Sequence, residues 1–150
     1  MKISIIIPVY NSSLTLNECL TSIFKSEYRN FEVIIVSDNS IDDSVKIAKK
    51  YQTTIIELTE NKGPANARNI GSKSSQGDII LFIDSDVILK PNSLNIVIEN
   101  FSKEGVDALQ GIYSHEPNYV SVATQFYQSY LSYYVWSKNK IHASTLETGC

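Results

Sequence analysis

The sequence predicts an α/β fold, a mostly parallel central sheet with helices on both faces. Short apolar, β-branched runs alternate along the chain with stretches of about ten residues or more in which apolar positions recur at helical spacing. Most of the runs are continuously apolar rather than alternating, as strands covered on both faces are. A third observation gives the sheet a working edge. Asp84-Ser85-Asp86 follows Ile79-Ile80-Leu81-Phe82-Ile83 with no spacer, so two carboxylates stand at the carboxyl end of a buried strand. Open α/β sheets bind their ligands at that edge.

The elements follow in order. Ile3 to Ile7 reads as a strand closed by Pro8. Leu14, Leu16, Leu20, Ile23 and Phe24 then recur at helical spacing, with Ser12 or Ser13 as cap. Phe31 to Val36 is a second strand. Ser40-x-x-Asp43 resembles a capping box opening a helix through Val45, Ile47, Ala48 and Tyr51. Thr53 to Leu58 is a third strand. Pro64 suits a first helical position, and the helix it opens runs to about Ser75, with Gly77 ending it. Asp78 to Ile83 is the fourth strand. Pro91 and Ser93 open a helix carrying Leu94, Val97, Ile98 and Phe101, and Val106 to Ile112 is a fifth strand. From Tyr119 to Trp136 the chain turns aromatic at helical spacing, and it stops at Thr148-Gly149-Cys150 with no closing element.

The bulk properties narrow the function. At 150 residues the chain is one domain's worth. A net charge of −3 argues against a nucleic-acid partner, which usually calls for a basic excess. No segment approaches the ~20 apolar residues that span a bilayer, and the start does not read as a signal peptide. Cys19 and Cys150 lack metal-type spacing, and Cys19 falls in a helical pattern as a buried thiol. The expected location is cytoplasmic, with peripheral association at the inner membrane face as a variant.

Three strand ends carry polar groups on the predicted edge: Tyr10-Asn11, Ser37-Asp38-Asn39 and Asp84-Ser85-Asp86. Paired carboxylates repel unless a cation joins them. A hard divalent cation on carboxylates commonly takes substrate phosphates too. A nucleoside diphosphate would find an acceptor for its base in Asp38, a metal on Asp86 and a forked donor in Arg68. The amino end of the helix at Pro64 adds free N–H groups. Structural readings stand beside these. Asp42 and Asp43 read as helix N-terminal charges, Asp38 also as a turn former, Arg68 also as a surface residue, and Gly71 as a close-packing position. The aromatic segment reads as core cover or as an interface. No G-x-G-x-x-G follows the first strand, which disfavours a dinucleotide-dependent oxidoreductase.

Four stretches together resemble the nucleotide-binding half of family 2 glycosyltransferases, of the GT-A (Rossmann-like) fold. They are Ile5-Ile6-Ile7-Pro8-Val9-Tyr10-Asn11, Val36-Ser37-Asp38-Asn39-Ser40-Ile41-Asp42, Asn61-Lys62-Gly63-Pro64-Ala65-Asn66-Ala67-Arg68-Asn69-Ile70-Gly71 and Asp84-Ser85-Asp86. The resemblance covers residues 3 to 112. It implies an inverting transfer of a sugar from a nucleotide-diphosphate sugar to an acceptor hydroxyl, with Mg²⁺ or Mn²⁺ on the diphosphate, in polysaccharide or glycoconjugate synthesis. A UDP-sugar is favoured over a GDP-sugar, and the acceptor is a glycan or lipid-linked. Carried over by position, Pro8, Val9, Tyr10, Asp38, Lys62, Arg68, Asp84 and Ser85 bind the nucleotide, and Asp86 with Asp84 binds the metal.

The chain departs from the family pattern in places. Ser37-Asp38 stands where many members have two acidic residues, and Asn39 where a glycine is frequent. The family's general base lies beyond the D-x-D, in an acidic motif after a segment like Leu146-Glu147-Thr148-Gly149-Cys150. The expectation is therefore a chain truncated at its C-terminus, with the catalytic base beyond Cys150 and little or no transfer activity of its own. Residues 1–114 form the nucleotide-sugar-binding part, and 115–150 the incomplete, aromatic-rich helical start of the acceptor side. Residues 119–136, deprived of cover, would support a homodimer. The alternative of another class is a nucleotide-binding or regulatory module without catalysis.

Overall fold

The computed structural model describes residues 1–103, 106–111 and 148–149. The chain divides into two compact units, one of Met1–Phe24 with Arg29–Val87 and one of Lys25–Tyr28 with Ile88–Cys150. The first contains a four-stranded parallel sheet of β1 (Ile3–Val9), β2 (Phe31–Ser37), β3 (Thr54–Glu57) and β4 (Ile79–Phe82), in the order β3-β2-β1-β4. Between them come α1 (Leu16–Phe24), α2 (Ser44–Ala48) and α3 (Pro64–Ser74). The second unit contains β5 (Ile88–Leu89), α4 (Ser93–Phe101) and β6 (Thr148–Gly149).

β1 is buried along all seven residues, as expected for a central strand covered on both faces. One face packs on α3, where Ile6, Ile34, Val36 and Ala67 form a buried cluster with Ile56, Leu58 and Ile70 against it. Gly71 makes that approach possible, because a Cβ there would collide with Ile6 Cγ2 and press on Val36 Cγ2 at 3.2 Å. On the other face Ile5, Ile7, Val33 and Ile35 are equally buried, and α1 buries Leu16, Cys19, Leu20 and Ile23. Phe24 ties α1 to Phe31 edge-to-face and to Tyr51 by stacking.

Pro8 lies inside β1, which runs two residues past the predicted end at Ile7. Residues of one parity in a parallel strand direct both N–H and C=O to the same neighbour. Ile6 accepts from the Ile83 N–H, at 3.1 Å, on the β4 side. Pro8 shares that parity, so its missing donor faces a ladder whose last Cα pair is Ile6 with Phe82. The next rung on that side would run from the N–H of residue 8 to Ile83 O, which proline cannot supply, so the β4 ladder stops there while the strand continues against β2 as far as Val9.

Several expectations are corrected. Leu14 precedes α1 and is 93% exposed; the turn over Ser12–Thr15 takes it off the apolar stripe. α2 is only five residues long, and Ser40 does not cap it. The Ser40 hydroxyl instead donates to Val9 O, at 3.3 Å. Gly77 lies beyond the Ser75 cap of α3. Its role is contact with β1, since a Cβ would come within 2.6 Å of Ser4 N. Residues 106–111 form no strand. Only Val106 and Leu109 are half-buried among exposed Asp107, Ala108, Gln110 and Gly111, a pattern that offers no apolar face. Thr148–Gly149, where no element is predicted, pairs antiparallel with Ile88–Leu89 as β6.

The aromatic segment, the 114/115 boundary and the proposed dimer surface lie outside the described residues. Among the described residues, no helix is long and apolar enough to cross a membrane.

Gly71→Ala is expected to lose about 1–3 kcal/mol of stability through overpacking, despite the better helix propensity of alanine. Denaturant unfolding checks this; an unchanged midpoint would show that the sheet yields to the extra methyl.

Candidate functional site

The chain builds outward from β1 through β2 to β3, then crosses back to place β4 on the other side of β1. Loops leaving β1 and β4 therefore diverge, and a crevice opens at the carboxyl ends of the strands. A cleft of about 560 Å³ lies there, within the usual range for small-ligand sites. Its walls are Pro8 and Val9 at the end of β1, Tyr10 to Ser12 after it, Asp38 after β2, Asn61 and Gly63 before α3, Pro64 and Arg68 on α3, and Asp84 to Asp86 after β4. Leu14 and Thr15 complete the rim.

Of the predicted site residues, Pro8, Val9, Tyr10, Asp38, Arg68, Asp84, Ser85 and Asp86 all line this cleft. Lys62 does not line it. Its ammonium pairs with Glu60 at 2.5 Å, and its main-chain N–H donates to Asp38 Oδ1 at 2.9 Å.

Asp38 is buried, 3% exposed, and its other oxygen accepts the Gly63 N–H at 2.7 Å. Gly63 is the residue before α3, with φ 85° and no side-chain cap of its own. Asp38 thus caps α3 from across the cleft, a carboxylate set against the positive end of the helix. The helix start is therefore engaged in part. The Lys62 and Gly63 donors are taken, Pro64 has none, and only the first-turn N–H groups of Ala65 and Asn66 remain.

The acidic tip after β4 is a turn. Val87 N–H donates to Asp84 O at 3.1 Å, and the Cys19 thiol lies below it, 3.6 Å from the same oxygen. Burial, reinforced by the charges of Asp86 and Asp84, pushes the Cys19 thiol up to about 12, so it stays protonated and inert. Asp84 Oδ1 pairs with Arg68 Nη2 at 2.5 Å, which relieves the repulsion between the two carboxylates. Asp86 is exposed and has no side-chain partner among the described residues. Among them, no group of three or more His, Cys, Asp or Glu is arranged for a metal. The donor set, two hard carboxylates within one turn, fits a hard cation that completes its shell from phosphate oxygens and water.

The latches that hold the loops leave little mark in the local sequence. Asn11 and Asn39 take left-handed backbone, φ 50° and 60°, a region asparagine enters more readily than most residues. Asn11 Oδ1 accepts the Ile41 N–H at 3.0 Å, and its own N–H donates to Ser40 Oγ at 3.2 Å. Asp42 accepts N–H groups from Ser13 at 2.8 Å and Ser44 at 3.0 Å. Its reading as a helix N-terminal charge holds, with the further task of joining two loops. Burial opposes ionisation of Asp42, but hydrogen bonds from Ser44 and Ser13 outweigh it and hold the carboxyl at about 2, below the ordinary 3.8.

The fold and cleft define an α/β ligand-binding protein of the doubly wound class. The chain belongs to the Glycosyl transferase family 2, whose sequence profile matches residues 4–145. It is 38% identical over 107 residues to an uncharacterized glycosyltransferase of Haemophilus influenzae, covering 65% of this chain and 43% of that protein. It is 41% identical over 112 residues to the poly(ribitol-phosphate) beta-glucosyltransferase of Bacillus spizizenii, covering 69% of this chain and 18% of that one. The crystal structure of Staphylococcus aureus TarS 1–349 in complex with UDP-GlcNAc superposes with a TM-score of 0.71 at 30% identity. That match covers 81% of this chain and 37% of the TarS chain. The chain thus spans less than half the length of each of these proteins. The shared architecture is the GT-A fold.

Two outcomes test the loop anchors. Asp38→Asn should cost about 1–3 kcal/mol, because one of the two N–H groups loses its charged acceptor, and should speed amide exchange at Lys62 and Gly63. Native-like exchange at both would mean that Asp38 does not hold the loop. Asp42 contributes stability above its unfolded value, which is lost as pH falls from about 4 to about 2. Asp42→Asn should therefore be less stable than the parent near neutrality. The gap should close across that acid window in thermal unfolding, and a gap independent of pH would contradict the anchor.

Proposed function

We propose that the chain is the donor-binding part of a glycosyltransferase. The enzyme moves a sugar from a nucleoside-diphosphate sugar to a hydroxyl of a glycan or lipid-linked acceptor, with inversion at the anomeric carbon. The observation that carries this is the switch-point cleft, which combines Asp84, Asp86 and Arg68 with aromatic Tyr10. Family membership supports the reaction class. UDP-GlcNAc in the TarS complex favours a UDP-sugar over a GDP-sugar, and the name of the Bacillus relative favours a polyhydroxylated polymer as acceptor.

Asp86, with Asp84, would hold Mg²⁺ or Mn²⁺. When bound, the ion supplies positive charge that stabilises the departing diphosphate. Arg68, half-buried and already extended to Asp84, adds guanidinium donors to the same phosphates. Tyr10, 55% exposed on the cleft wall, offers aromatic surface to the base and ribose beside Pro8 and Val9. Asp38 retains acceptor capacity for the base imide after serving Lys62 and Gly63, since a carboxylate offers about four lone-pair sites.

Each carboxylate of the cleft therefore has a task other than deprotonating the acceptor. Asp38 anchors the loop, Asp84 meets Arg68, and Asp86 serves the cation. The general base comes from outside this set, and a positioned base typically supplies about 10²–10⁴-fold of rate.

Calorimetric titration with UDP and GDP, with and without Mn²⁺, tests the reading. UDP should bind in a Mn²⁺-dependent manner. Asp86→Ala should abolish the metal dependence, and Arg68→Ala should weaken binding by about tenfold or more, as loss of a charge-assisted bond predicts. No binding of either nucleotide, or binding unchanged in Asp86→Ala, would refute the donor site.

A further inference from the structure

Ser12 is the point where three loops meet. Its N–H donates to Ser44 Oγ at 2.8 Å, and Ser44 is fully buried at the start of α2. The next residue, Ser13, is fixed through its N–H to Asp42. Ser12 is thus anchored to the loop after β2 and the start of α2. From this anchor its hydroxyl reaches across the switch point to Ser85, with an Oγ–Oγ separation of 2.8 Å.

A serine hydroxyl has one proton to donate. That of Ser12 points to Tyr10 O at 3.3 Å, so Ser85 is the donor and Ser12 the acceptor. The proton of Ser85 is then engaged within the protein and is not offered to a phosphate. Among the described residues, the bond to Ser12 is the sole hydrogen bond made by the Ser85–Asp86 tip. Asp84 is held separately, by Arg68, Val87 and Cys19. Ser85 therefore adds the tip's own tie to the loop after β1, beside the Val87–Asp84 bond that closes the turn around Asp86.

We propose that Ser12 and Ser85 are a positioning pair, a hydroxyl clasp across the mouth of the cleft that holds the Asp86 carboxylate ready for a cation-bound diphosphate. The proposal rests on the donor-site reading above. Neither serine touches the reacting atoms. Their effect is preorganisation, since a tip already fixed loses less conformational freedom when the ligand arrives.

The test uses Ser12→Ala, Ser85→Ala, the double variant and Ser85→Thr, with two readouts. The first is Mn²⁺-dependent UDP binding by calorimetry. The second is amide hydrogen exchange over residues 84–87 in the metal-free protein. Each alanine variant should bind about 2- to 10-fold more weakly, the range that one net hydrogen bond supplies. The double variant should lose no more than either single one, because both break the same bond. Exchange over 84–87 should quicken in all three, and Ser85→Thr, which keeps the hydroxyl, should restore both readouts. Parental affinity and exchange in the single variants, or losses that multiply in the double, would overturn the clasp. If the parent protein binds no UDP with Mn²⁺, the donor-site reading fails. Exchange then decides the clasp alone, and unchanged exchange in the alanine variants rejects it.

Discussion

The site depends on how β1 ends. β1 lies between β2 and β4, buried on both faces, and its two ladders stop at different heights. The β4 ladder ends at the Ile6–Phe82 pair, whereas the β2 ladder continues to Val9 and Ser37. Pro8, which lacks an N–H, faces the β4 side and cannot supply the next rung of that ladder. Past that level β4 has no partner on β1 and turns off through Asp84 to Val87. The cleft is the space left between strands that part at unequal lengths, so the sheet's hydrogen-bond geometry creates the site before any side chain is chosen.

A crevice between diverging loops is held only as well as its rims. Polar groups on the rims, buried in the case of Asp38, find their partners across loops. Asp38 crosses from β2 to the start of α3, Asp42 joins the loop after β2 to the loop after β1, and Arg68 reaches from α3 to Asp84. Each bond meets a local need, a helix cap or a neutralised carboxylate, and at the same time fixes a wall of the cleft. Asp86 has no such partner among the described residues. The acidic tip thus combines one carboxylate held by the protein with one left open to a ligand.

Much of the fold was legible because burial leaves a direct mark on composition. Strands covered on both faces read as unbroken apolar runs, and Ile3–Ile7, Phe31–Val36 and Ile79–Ile83 were found that way. Pro64 and Gly71 were legible because backbone rules restrict those residues. The readings that failed lacked such a mark. Leu14 has helical spacing but lies in a turn. Residues 106–111 carry enough apolar residues to suggest a strand but have no one-sided pattern to bury. β5 and β6 are two-residue pairings from distant parts of the chain, too short for periodicity to reveal.

The sequence by itself determined the α/β class, the strands of the parallel sheet and the family, because local patterning and a chain of spaced motifs specify them. It also placed Asp38, Arg68, Asp84 and Asp86 on one edge, since parallel strands put every carboxyl end together. Only the tertiary structure decided what those residues do to one another. That Asp38 caps a helix 25 residues away, or that Ser85 meets Ser12 from 73 residues away, follows from loop positions in space. Serine and aspartate are ordinary loop residues, and nothing in their local sequence records which distant donor or acceptor the folded sheet will bring within hydrogen-bond reach.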